Sequence, residues 1–210
     1  MEMLDSHTLF LFITASTLLA LAPGPDNIFV LTQSMLKGAK PGIFVTLGLC
    51  TGLIFHTSAV ALGVAAIFQT SITAFNILKF IGAAYLLYLA YLSFRSCSKS
   101  KLKADKDNLT LGKLYKRGIL MNVTNPKVSI FFLAFLPQFT NVQAGNVTLQ
   151  ILLLGAIFML CALIVFSAVA FSAGKLGDWF NRSPNAQNIL NKVAGSIFAL
   201  LAVKLALSER

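Results

Sequence analysis

Charge is what this sequence has least of. Only 11% of its 210 residues are charged, and seven of them are acidic. A soluble domain carries about a quarter charged residues, so the shortage argues for lipid as the solvent. Cysteine is nearly absent as well. Cys50, Cys97 and Cys161 are odd in number and show no metal-ligand spacing, so neither a disulfide framework nor structural zinc is implied. One aspartate, one histidine and scattered cysteines in the apolar runs do not make a metal centre, and no cofactor is implied. A Gly-rich loop ending in Gly-Lys-Ser/Thr is missing too, so nothing in the chain resembles a nucleotide-driven motor.

What is present is apolar. Hydrophobic residues make up 57% of the chain, mean hydropathy is +0.79, and the apolar positions fall into runs long enough to cross a bilayer. The start, Met1-Glu2-Met3-Leu4-Asp5, is acidic and the first run outlasts a signal core, so a cleavable leader is not expected. The net charge of +10 is gathered in short segments between the runs. The largest, residues 95–117, holds eight basic residues and reads as a cytoplasmic loop beside anionic lipid. It has no aromatic platform, so nucleic acid is not an expected partner.

The chain turns on Ala22-Pro23-Gly24-Pro25-Asp26-Asn27, set inside the apolar run from Leu9 to Leu36. Each proline removes a backbone donor and clashes with the preceding turn, so the helix breaks and leaves carbonyls unpaired. In a membrane such a break belongs inside protein or beside a wet cavity. An acid near mid-crossing marks a functional site, with a plain proline kink as the bland alternative. A second copy stands at Thr124-Asn125-Pro126-Lys127: an offset of 101 residues lays Pro126 on Pro25 and Lys127 on Asp26.

Six crossings are expected: Thr8 to Ser34, Ile43 to Phe68, Ala74 to Phe94, Gly118 to Pro137, Leu149 to Ala173 and Ile189 to Leu207. A basic turn separates the first two at Lys37 to Gly42, and Lys79 is expected to snorkel to the near interface. The predicted fold is an all-α integral membrane protein, one transporter domain over 1–210. It consists of two inverted three-helix repeats, 1–94 and 118–210, with helices 1 and 4 broken at the Pro motifs. Twelve basic residues lie in the segments on one side and Arg210 alone on the other. The positive-inside rule then puts both termini outside, which in a bacterial inner membrane is the periplasm.

Inverted halves with broken helices point to an alternating-access carrier. Pro23, Gly24, Pro25, Asp26, Asn27, Asn125, Pro126 and Lys127 are the candidate substrate-binding residues. Asp26 suits an ammonium and Lys127 a carboxylate, and both half-helix N-termini are expected to offer N–H groups, so a zwitterionic amino acid fits. In the rival arrangement Asp26 and Lys127 pair with each other when the carrier is empty. Asp26 and His56 are the candidates for proton coupling, with a histidine merely bonded to a neighbouring helix as the alternative for His56. Gly48, Gly52, Gly82 and Gly195 are candidate helix-packing positions. No catalytic residue stands out, so an enzyme is not expected; the rival classes are a membrane-embedded enzyme, a channel, or an exporter of other small solutes or cations.

Three blocks carry a family resemblance: Leu21-Ala22-Pro23-Gly24-Pro25-Asp26-Asn27-Ile28-Phe29-Val30; Gly82-Ala83-Ala84-Tyr85-Leu86-Leu87-Tyr88-Leu89; and Thr124-Asn125-Pro126-Lys127 with Phe131-Phe132 and Pro137-Gln138-Phe139. With these the chain resembles the LysE/RhtB family of bacterial amino acid exporters over nearly its whole length. The resemblance implies efflux across the inner membrane driven by the proton motive force, six crossings and self-association as a homodimer. With Asp26 the only acid within a crossing, neutral cargo such as leucine, threonine or homoserine is expected before lysine.

Overall fold

The computed structural model describes residues 4–64, 72–95, 109–173 and 184–207. Among them the chain is helical throughout, with no strand. The helices are α1 (Ser6–Leu21), α2 (Pro25–Lys37), α3 (Ala39–Ala59), α4 (Ile72–Arg95), α5 (Leu111–Val123), α6 (Pro126–Ile130), α7 (Val147–Phe171) and α8 (Pro184–Ala206). Helix α3 runs on into a π turn, Val60–Val64. Helix α6 runs on through a π turn, Phe131–Phe135, into a 3₁₀ turn, Leu136–Phe139.

Both Pro motifs break their helices. α1 and α2 meet at 59°, and α5 and α6 with its extension meet at 50°. In each case a proline opens the second piece at its first position, where the missing N–H costs nothing. Asp5 closes the start of α1, its carboxylate accepting from the Thr8 amide at 2.7 Å. Asn146 does the same for α7 by accepting from the Leu149 amide at 3.1 Å.

Three single helices are long and apolar enough to cross a membrane, or five spans if each bent pair counts as one. α8 is long enough, but Asn185, Gln187, Asn188, Asn191 and Lys192 make its first half polar. Large apolar side chains cover the outside, among them Phe10, Leu62, Leu160, Phe171 and Leu200, each more than half exposed. So much apolar surface suits a lipid contact and not water.

Some expected boundaries need correction. The basic turn shrinks to Gly38, whose φ of 85° ends α2 before α3 restarts at Ala39. The helix expected to open the fourth crossing at Gly118 starts at Leu111, because Lys113, Lys116 and Arg117 lie on the polar face of an amphipathic helix and not in a loop. Residues 96–108 of the expected loop, and the connection before α8 with Lys175 and Arg182, lie outside the described residues. Lys79 is 8% exposed, so it does not snorkel. Its ammonium lies 4.8 Å from the centre of the Phe80 ring.

Helix α3 lies at the centre, packed on α2, α5 and α7, while α4 packs mainly on α8, and α1 on α7 and α8. The α3–α5 crossing is closest at two glycines. A methyl group on Gly48 would collide with the Tyr115 carbonyl, and one on Gly118 would lie 2.5 Å from the Val45 carbonyl oxygen. Gly52 lies against the Asn122 side chain, Gly82 against Ala134, and Gly195 against the Phe94 ring. Packing of this kind replaces the hydrophobic drive that helices lack inside lipid.

Candidate functional site

A proline at position i strips the carbonyl at i−4 of its helical donor. Pro23 therefore orphans the carbonyl of Leu19, Pro25 that of Leu21, and Pro126 that of Asn122. In the absence of water all three need another partner, and each one finds it. The Lys127 ammonium donates to Leu19 O at 3.2 Å and to Ala22 O at 3.1 Å. The Asn27 amide donates to Ala20 O at 2.8 Å and to Leu21 O at 3.2 Å. Asn122 O lies 3.1 Å from His56 Nε2 and also accepts from the Asn125 amide at 3.0 Å. A carbonyl can only accept, so in this contact His56 donates from Nε2.

The two breaks thus brace each other. Lys127, at the start of α6, reaches across to the C-terminal end of α1, where a cation also complements the helix dipole. Asp26, at the start of α2, reaches back to the other break, where its Oδ2 accepts from Asn125 Nδ2 at 2.9 Å. Asn125 in turn caps α6, its Oδ1 accepting from the Lys127 amide at 3.0 Å. The N-terminus of α6 is therefore already satisfied by its own asparagine, whereas α2 has no side-chain cap.

Among the described residues, Asp26 and Lys127 form no ion pair; each is bonded to the opposite break instead. Asp26 is buried and Lys127 half-buried, and both line one small cavity together with Asn122, Leu53, Val128 and Phe158. Two acceptors there, Asp26 Oδ1 and Asn122 Oδ1, are buried without a partner among the described residues. Gly24 allows the lysine to come in, since a methyl group on Gly24 would stand 3.2 Å from Lys127 Nζ. Of the expected site residues, Asp26 and Asn125 therefore meet through side chains, Asn27 and Lys127 hold backbone carbonyls at the end of α1, and the three prolines and Gly24 shape the backbone. Asn122 was not singled out, although an amide one turn before a break in an apolar crossing was a legible signal.

The cavity volume is about 20 Å³. That holds a water and falls far short of the roughly 300 Å³ at which ligand pockets begin. Above the cavity runs a stack of rings: Phe158 to Phe131 at 5.2 Å, Phe131 to Phe135 at 4.8 Å and Phe135 to Phe139 at 5.0 Å. Phe12 braces the far end, 5.1 Å from Phe139.

A family model described as LysE type translocator matches residues 17–209, both breaks included. The chain belongs to that family. LysE type translocators carry small molecules through a membrane, which sets aside the membrane-embedded enzyme. A homoserine/homoserine lactone efflux protein of Salmonella typhimurium is 35% identical over 197 residues, covering 94% of this chain and 95% of the relative. An uncharacterized membrane protein of Bacillus subtilis is 30% identical, covering 96% and 100%. Another from Vibrio cholerae is 30% identical, covering 93% and 94%. No solved structure matches this LysE type translocator.

Proposed function

We propose that this translocator exports small neutral amino acids such as homoserine, threonine or leucine from the cytoplasm by alternating access. The observation that carries the reading is the pair of partnerless buried acceptors, Asp26 Oδ1 and Asn122 Oδ1, on a cavity shared with the Lys127 ammonium. An ammonium supplies donors to the first two, and a carboxylate can draw Lys127 off the α1 carbonyls. The homoserine efflux relative supports the same cargo class.

The architecture in this reading is six crossings in two inverted repeats, 1–94 and 118–210, with α8 as the sixth span and both termini outside. Contacts of α3 with α7 and of α4 with α8 support it, because a twofold axis in the membrane plane would pair those helices. The protein works in a bacterial inner membrane as a homodimer.

Protons drive export through Asp26 or His56. His56→Gln is expected to keep amino acid exchange while lowering gradient-driven export about a hundredfold, the lower end of the scale for a lost proton-transfer group. Exchange and export falling together would assign His56 to holding the Asn122 carbonyl alone. The cargo is tested by efflux from inside-out vesicles, with and without a proton gradient, across neutral, basic and acidic amino acids. Preferential, saturable, gradient-dependent transport of neutral ones is expected. Equal flux of every class would overturn the reading in favour of a channel.

A further inference from the structure

A second cavity lies at the far end of the phenylalanine stack, bounded by Thr8, Leu11, Phe135, Gln138, Phe139 and Lys204. Its volume is about 180 Å³, nine times that of the central one. At ~30 Å³ per water that is room for a small amino acid, which the central cavity lacks in this form. Three elements wall it: the first two turns of α1, the end of the α6 extension and the last turn of α8. With the termini outside, all three lie at the outer face.

Among the described residues the walls carry one cation, Lys204, while Thr8 at the rim already donates its amide and hydroxyl to the Asp5 carboxylate at 2.7 and 2.8 Å. Lys204 Nζ hangs 4.4 Å from the centre of the Phe139 ring, and among the described residues no carboxylate pairs with it. Thr8 and Gln138 add polar atoms, and Phe135 and Phe139 give an apolar floor. Phe139 is the last ring of the stack and Phe158, the first, lines the central cavity, so one set of rings bounds both chambers.

We propose that this chamber is an exit subsite, in which Lys204 takes the carboxylate of the departing amino acid after the ring stack has parted. The proposal rests on the exporter reading above and deepens it. A carboxylate leaving Lys127 finds a second cation at the other end of the rings, so its charge is not stranded against an apolar wall. The cation over Phe139 ties occupancy of the outer chamber to the ring that closes it.

The test is exchange in proteoliposomes, with unlabelled homoserine titrated on the outer face and labelled homoserine inside. Lys204→Gln is expected to raise the half-saturating outer concentration about tenfold, the loss of one charge-assisted hydrogen bond. The inner half-saturating concentration is expected to move less than twofold, and Lys204→Arg is expected to restore the outer value. Homoserine lactone keeps the ammonium but masks the carboxylate, so its outer constant is expected to be the same in wild type and Lys204→Gln. Equal outer constants for homoserine in wild type and variant, or a shift shared by the lactone, would overturn the subsite. An effect seen with anionic lipid but lost in pure phosphatidylcholine would assign Lys204 to a lipid headgroup and overturn it too. If wild type exchanges no amino acid at all, it is the exporter reading that fails.

Discussion

Lys127→Ala is expected to reduce efflux from loaded vesicles to that of protein-free vesicles, at least a hundredfold, while the protein still inserts. Lys127 is bonded to the backbone of the opposite half, so its loss does two kinds of damage. The carbonyls of Leu19 and Ala22 lose their donor inside the fold, at about 1–3 kcal/mol each. The cargo carboxylate loses its cation, which at about 1.5–3 kcal/mol per charged hydrogen bond gives the hundredfold figure when two are lost. Asp26→Asn is expected to abolish efflux as well, since an amide in place of the carboxylate offers an ammonium no countercharge. A double exchange, Asp26→Lys with Lys127→Asp, separates bracing from pairing. Two residues that merely neutralised each other would recover on being swapped. Here no recovery is expected, because an aspartate at 127 cannot donate to carbonyls. Wild-type efflux in both single variants would remove these residues from the site.

Gly48→Leu, or Gly118→Leu, is expected to prevent the bundle from assembling. At both positions the added carbon meets backbone of the facing helix, the Tyr115 carbonyl in one case and the Val45 carbonyl in the other. Backbone cannot rotate away as a side chain can, so α3 and α5 must separate. A destabilisation of about 3 kcal/mol or more follows, the upper range for an overfilled interior. The measurement is thermal unfolding of the purified protein in detergent, together with its yield in the membrane. As a control, Gly112→Leu, also on α5, should leave both unchanged, since a Cβ there meets nothing within 4 Å. A melting temperature for Gly48→Leu equal to that of Gly112→Leu would refute the close crossing.

The two breaks could be read from the sequence because proline acts locally: removing one donor at Pro23, Pro25 or Pro126 decides which carbonyl is left over, wherever the helix goes next. What takes up that carbonyl is a long-range matter. Lys127 reaching Leu19, 108 residues away, depends on how two halves of the chain meet, and no local pattern carries that. The sequence also presented an acid and a base at matched positions, which invites pairing, whereas each charge is bonded to the opposite break. α5 was misjudged at its start because its basic residues were counted as a run and not placed on a helical face. Gly118 went unnoticed as the partner of Gly48, since a lone glycine acquires meaning only beside the facing helix. The ring stack was visible as a row of phenylalanines, but not its π register, which needs backbone coordinates.

In the alternating-access cycle proposed above, the mutual bracing of the breaks bears on the empty return stroke. With no passenger aboard, the lysine still has two oxygens to hold and the aspartate still has an amide. In this conformation each charge keeps a partner on the opposite break without any cargo. In the cycle proposed above, such bracing lets the empty protein return without requiring a second amino acid to travel inward.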